Sequence, residues 1–232
     1  MKLIGMIGGL SWESSAEYYR VINRGAQAKL GGVHSARSLM HSLDFGTIEA
    51  MQHQGDWAAA TAAMIAAARS LEQGGADFII ICSNTMHRMA AEIEAAAGIP
   101  LLHIADPTGI AITAAGFQRI GLLGTAFTME QDFYRARLEK KFGLEVLTPT
   151  APDRHTVHEI IYQELVKGIV REPSREAYRG VITRLIERGA EAIILGCTEI
   201  MLLVGEADAA VPLFDTTTLH AEAALEFALA SD

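Results

Sequence analysis

Hydrophobic and polar positions along the chain fall into two alternating textures. Short continuous apolar runs occur at LIGMIG (3–8), SLMHSLDF (38–45), DFIIIC (77–82), PLLHI (100–104), RIGLLGT (119–125), LEVLTP (144–149), AIILGC (192–197) and VPLFD (211–215). Between them the apolar residues recur at helical spacing. Tyr178, Val181, Ile182, Leu185 and Ile186 predict a helix with Ser174 as N-cap and Gly189 at its C-terminal end. Met64, Ile65, Ala68 and Leu71 predict another, from Asp56 to Gly74, rich in alanine. Apolar strands between amphipathic helices predict parallel sheets covered on both faces.

The pattern is written twice. LIGMIGG (3–9) resembles RIGLLGT (119–125), EYYR (17–20) resembles DFYR (132–135), GADFIIICSNT (75–85) resembles GAEAIILGCTE (189–199), and IPLLHI (99–104) resembles VPLFDT (211–216). The offsets run 116, 115, 114 and 112, a slow drift in one direction, as small loop deletions produce. The expectation is an α/β fold of two pseudosymmetric lobes, each a parallel sheet of about four strands flanked by helices. The lobes are expected at 1–105 and 106–215. A last helix, 216–232 with its apolar pattern at 219–230, is able to pack on either lobe, including back on the first.

Bulk properties narrow the function classes. With 232 residues, 50% hydrophobic and 20% charged, the chain suits a globular enzyme. Its net charge of −9 and lack of a Lys/Arg cluster argue against a nucleic-acid partner. The opening MKLIGMIGGLSWES reads as a first strand rather than a signal peptide, because Trp12 and Glu13 follow without a small-residue cleavage site. No apolar run approaches the ~18 residues of a membrane span. A cytoplasmic location, with Cys82 and Cys197 both reduced, is the expectation.

In open parallel sheets, ligands sit beyond the carboxyl ends of the strands. Two such lobes facing each other would set matching strand ends on opposite sides of one cleft. Under the repeat, Cys82 aligns with Gly196, Ser83 with Cys197, and Asn84 with Thr198. Neighbouring residues on a strand point to opposite faces, so Cys82 is expected to face its own core as a small hydrophobe. Cys197, at a strand end and followed by Thr198 and Glu199, is the candidate reactive thiol. Ser83 reads either as a turn residue bonding local backbone or as the partner of Cys197.

CSNTMH (82–87) and GCTEI (196–200), with the opening IGMIGGLSWES (4–14), resemble the aspartate/glutamate racemase family of cofactor-independent amino-acid racemases, over essentially the whole chain. The resemblance implies two pseudosymmetric α/β lobes, a homodimer, an amino-acid substrate held between the lobes, and neither PLP nor metal. It also implies proton removal and return at Cα by two cysteines on opposite faces. Such inversion needs an acid on one face and a base on the other, and a thiol can serve as either. Asn84, Thr85 and Thr198 are suitable donors to the α-carboxylate as it gains enolate character. Gly8-Gly9 and Thr125 would let a small zwitterion approach the backbone, although the glycines equally suit a tight strand-to-helix turn. The chain departs from the family pattern at Ser83, where many members carry cysteine. A hydroxyl is a far weaker acid. Three outcomes stay open: Ser83 exchanges protons slowly or through water, the reading favoured here; Cys82 rotates in, against strand geometry; or Cys197 acts alone, as in single-cysteine decarboxylases of malonate-type acids within the wider superfamily.

The second carboxylate of an acidic substrate needs a partner. Family members often use an Arg from the early loop, but DFGTIEAMQHQGDW (44–57) contains none, so Gln52, with His53 beside it, and Lys167 are the candidates; Lys167 also reads as a solvated helix residue. Trp12 walls the site or anchors the first helix. Glu199 orients Cys197 or the substrate ammonium, or caps the next helix. Met86 and His87 are expected to open the helix after the signature. His155 and His158 stand three apart without a convincing third ligand, so no metal site is expected. The expectation is thus a cofactor-free amino-acid racemase. A single-thiol decarboxylase or isomerase of a small dicarboxylic acid is its enzymatic rival, and a non-catalytic amino-acid sensor its rival of another class.

Overall fold

The computed structural model describes residues 1–230, so Ser231 and Asp232, the end of the expected last helix, lie outside the described residues. The chain divides into two compact units. The first holds Met1–Ile104 and the chain from His220 onward, and the second holds Ala105–Leu219.

The first unit runs β1 (Ile4–Gly8), α1 (Trp12–Leu30), β2 (Ser38–Ser42), α2 (Phe45–Gln54), α3 (Trp57–Gln73), β3 (Phe78–Ile81), a 3-10 turn (Thr85–Met89) and α4 (Ala90–Ala96). Its parallel sheet has the order β2-β1-β3. Every residue of β1 and β3 is buried, because helices cover both faces. On one face Ile7, Met64, Ala68, Leu71, Ile79 and Ile81 pack together; on the other Ile4, Met6, Tyr18, Ile22, Phe78 and Ile80 do so. The alternation along β1 and β3 sorts residues between these two cores.

The second unit runs α5 (Ala105–Ala114), β4 (Arg119–Gly124), α6 (Ala126–Glu130), α7 (Asp132–Phe142), β5 (Glu145–Leu147), α8 (Ala151–Gln163), α9 (Glu172–Glu187), β6 (Ala192–Gly196), α10 (Ile200–Leu203) and β7 (Leu213–Asp215). Its sheet is parallel with the order β5-β4-β6-β7. The last helix, α11 (Thr216–Leu229), begins in this unit and from His220 belongs to the first. Among the described residues no helix is long and apolar enough to cross a membrane.

The repeat survives in the backbone bonding. Ile7 stands opposite Ile81 in the first sheet, and Leu123 opposite Leu195 in the second. Ile79 N–H donates to Pro100 O at 2.8 Å, and Ile193 N–H to Pro212 O at 2.9 Å. The copies then diverge. In the second unit Leu213–Asp215 continue as β7, whereas in the first the run 100–104 makes only an isolated parallel bridge, Leu101 to Ile79. The first sheet therefore has three strands and the second four, as the expectation of about four strands in each lobe has it. The EYYR/DFYR match is also one residue out of phase. Within these two stretches the fully buried tyrosines are Tyr18 and Tyr134, an offset of 116, not the 115 that the letters suggest.

Several boundaries move for local reasons. Asp44 ends the 38–45 run because its carboxylate caps α2. Helix α9 starts at Glu172, ahead of Ser174, because Pro173 fits a first helical turn. Ser174 is instead buried and donates to Glu164 Oε2 at 2.6 Å. Met86 and His87 lie in the 3-10 turn that precedes α4.

Candidate active site

The polar residues at the strand ends are placed by short, heavily bonded turns. After β1 the chain reverses at Gly9, whose φ is +70°; a Cβ there would sit 2.0 Å from Leu43 O. The serines that follow divide the work of holding this turn. Ser11 caps α1, Ser15 Oγ accepts from Gly9 N–H at 2.8 Å, and Ser14 O–H donates to Cys82 O at 2.8 Å. The opening motif is thus tied directly to the signature after β3. Trp12, the first residue of α1, is 67% exposed.

Past Ile81 the signature bends at once, with Ser83 N–H bonding Ile81 O at 2.8 Å. Cys82 is fully buried among Ile4, Met6, Tyr18 and Phe78, and desolvation lifts its thiol far above the ordinary range. It packs as a core residue in this fold. Ser83, Asn84 and Thr85 are all buried. Ser83 Oγ accepts a long bond from Met86 N–H, 3.4 Å. Gln52, on α2, is buried and its amide donates to Met86 Sδ at 3.1 Å, which brings it to the same turn. His53 is exposed and bonds Glu49 O in its own helix.

In the second unit Gly124 and Gly196 are register partners, so Thr125 and Cys197 leave adjacent strands side by side. A Cβ at Gly196 would lie 2.7 Å from Leu123 O, which is why the residue before Cys197 is glycine. Cys197 and Thr198 both donate to one oxygen of Glu199: Sγ to Oε2 is 3.0 Å and Oγ1 to Oε2 is 2.8 Å. All three residues are buried. Burial first, then the charge and hydrogen bond of Glu199, hold the Cys197 thiol well above its ordinary 9.0; the Thr198 and Glu199 N–H groups oppose this only partly. Cys197 is therefore a neutral thiol at neutral pH. Thr125 caps α6, accepting from Thr128 N–H at 3.3 Å. Lys167 is exposed, in a turn (Leu165–Lys167) that packs on α10, with Nζ 3.3 Å from Gln163 Oε1. His155 is exposed, and His158 Nδ1 accepts from Ala126 N–H at 3.1 Å.

The structure gathers Gln52, Ser83, Asn84 and Thr85 around one turn, and Thr125, Cys197, Thr198 and Glu199 around another. Sequence reasoning missed Ser14, Ser15 and the bonds of His87. Ser14 and Ser15 lie in the quoted opening motif, yet only the folded turn shows what they hold.

Two parallel α/β units that each end a strand in a buried polar signature, one with a thiol on a carboxylate, define a duplicated enzyme class. The chain matches the Asp/Glu/Hydantoin racemase family over residues 7–224 and belongs to it. It is similar to a candidate Asp/Glu racemase from Yersinia pestis, with 54% identity, coverage of 99% of this chain and 100% of that one, and a TM-score of 0.91. An aspartate racemase homologue from Pyrococcus horikoshii OT3 matches at 31% identity over 98% and 99% of the two chains, with a TM-score of 0.84. The broad specificity amino-acid racemase RacX of Bacillus subtilis (strain 168) is 27% identical over 72% of each chain. Membership supports an amino-acid racemase in general.

Proposed function

We propose that the protein interconverts the enantiomers of an acidic amino acid by cofactor-independent proton transfer at Cα, with Cys197 serving one face and Ser83 the other. The observation that carries this reading is the shared register. Ser83 lies two residues past Ile81, Cys197 two past Leu195, and those residues face Ile7 and Leu123 at equivalent points of the two sheets. The proton inventory follows from the bonds at Cys197. Its S–H proton passes to Glu199 Oε2, leaving a thiolate that takes the Cα proton. The Ser83 O–H protonates the opposite face, solvent restores its hydrogen, and Glu199 releases to solvent the proton it took, so that Cys197 keeps the hydrogen from Cα and the site returns to its starting state. Serine is a competent donor to a carbanion but a poor base, so the Ser83 face is the harder one from which to start. Asn84, Thr85 and Gln52 are assigned to the substrate carboxylates on the first side, and Thr125, Thr198 and Lys167 on the second.

The test is incubation with each enantiomer of aspartate, glutamate and a panel of other amino acids in D₂O, with Cα–H exchange followed by proton NMR beside chiral chromatography. Exchange with inversion is expected. Cys197→Ser exchanging at the parent rate would remove the assignment. A second reading is favoured by the neutral Cys197 thiol, which suits one-sided protonation of an enolate after loss of CO₂. Release of CO₂ from a malonate, with no amino acid exchanged, would select it.

A further inference from the structure

We propose that His87 is the positioning residue for Ser83, holding its hydroxyl in line for proton donation through a neutral imidazole of fixed tautomer. This rests on the racemase reading above. His87 Nδ1 lies 2.7 Å from Ser83 O, and a carbonyl only accepts, so Nδ1 carries the hydrogen. Nε2 lies 3.2 Å from Ile104 N, whose N–H only donates, so Nε2 is the bare nitrogen. A charged imidazolium would set two N–H groups against each other at Ile104. Protein groups thus dictate both the charge and the tautomer.

The imidazole is itself walled in. His87 is buried, with the ring of His103 at 4.6 Å and that of His220 at 5.7 Å. The carbonyl of Leu102 makes His220 Nε2 a donor at 2.8 Å, and Nδ1 pairs with the Tyr18 hydroxyl at 2.8 Å, so a neutral His220 ring holds the tautomer opposite to that of His87. A buried relay of rings therefore backs the signature turn. At the front, Ser83 N–H and Ser83 O are both pinned, by Ile81 O and His87, which fixes the backbone that aims the side chain. Met86 N–H engages the hydroxyl oxygen only at 3.4 Å, too long to orient it alone.

Two substitutions separate the two bonds of the ring. His87→Asn puts an amide nitrogen near the Nδ1 place and keeps the donor to Ser83. His87→Gln puts an amide oxygen near the Nε2 place and keeps the acceptor for Ile104. With the amino acid that the parent inverts, in D₂O, the reading is taken on the enantiomer whose Cα–H faces Cys197, identified as the one whose retention exchange Cys197→Ala removes: the ratio of Cα deuteration with retention, which Cys197 performs alone, to inversion, which also needs Ser83. The ratio is expected to rise at least about tenfold in His87→Gln and to stay within about threefold of the parent in His87→Asn. Equal effects in both variants, or the reverse order, overturn the proposal and make His87 an anchor for Ile104. A parallel fall of exchange and inversion overturns it as well, since a general loss of structure moves both together. A parent protein that exchanges neither enantiomer of any amino acid in the panel removes the racemase reading, and the positioning role with it. In the unaltered protein, nitrogen NMR of His87 is expected to show Nδ1 protonated and Nε2 bare; the other tautomer or an imidazolium at neutral pH overturns the proposal without any variant.

Discussion

At the scale of the residue, chemistry is set by what each sulfur and oxygen touches. One Glu199 oxygen takes both the Cys197 and Thr198 hydrogens. Both the charge and the acceptor of Glu199 raise the thiol, so Glu199→Gln lowers the Cys197 pKa while removing the proton's destination. Alkylation by iodoacetamide should therefore shift to lower pH, while inversion falls about 100-fold or more. Ser83→Cys replaces a poor base with a better one and should speed inversion about tenfold; lost turnover in a folded Ser83→Cys protein would show that the hydroxyl does something else. Cys82 bears on stability. Its thiol is raised in the folded state above an ordinary 9.0, so the folded protein holds that proton more tightly than the unfolded chain. The stability linked to it is full below about pH 9 and is lost as pH rises beyond that value. Thermal melts should fall more steeply on the alkaline side for the parent than for Cys82→Ala. The parity of the strand makes the inward direction of Cys82 legible in the sequence. The double use of Glu199 is not legible there, because it depends on how the chain turns after β6.

At the scale of the element, apolar runs and helix caps translate well into structure, since each depends on neighbours within a few residues. Asp56 caps α3 through Ala59 N–H at 3.0 Å, and 77–82, 119–125 and 192–197 contain β3, β4 and β6. Runs at the sheet edges translate less well. Residues 100–104 carry the same letters as a strand, yet pair at one point only, because strand length is decided by the partner and not by the run itself. Likewise the 144–149 run shrinks to β5 at the edge of its sheet. The turn after β1 offers the sharpest test at this scale. Gly9→Ala would push a methyl group into Leu43 O at a positive φ, and should cost about 2 kcal/mol or more in denaturant melts. An unchanged midpoint would mean that the turn can relax.

At the scale of the whole molecule, duplication gives two strand ends of the same register but different chemistry. Enantiomers in water have equal free energy, so kcat/KM must be the same in both directions whatever the two end groups are. A serine on one side and a cysteine on the other should instead separate kcat and KM individually. Measured from the two enantiomers, kcat is expected to differ while the kcat/KM values coincide. Equal kcat values from both sides would indicate that Ser83 is no weaker than Cys197.

The course of the chain has a consequence for synthesis on the ribosome. The first unit lacks part of its core until α11 arrives: Ala221, Ala224 and Ala228 complete the cluster around Tyr18, and Lys2 N–H bonds Ala228 O at 2.8 Å. The second unit, Ala105–Leu219, is continuous. The nascent polypeptide should therefore finish its later half first and hold the earlier half open until α11 has emerged. A fragment of residues 105–219 is expected to melt cooperatively by circular dichroism, and a fragment of residues 1–104 is not. In this molecule the order of emergence and the order of completion run in opposite directions.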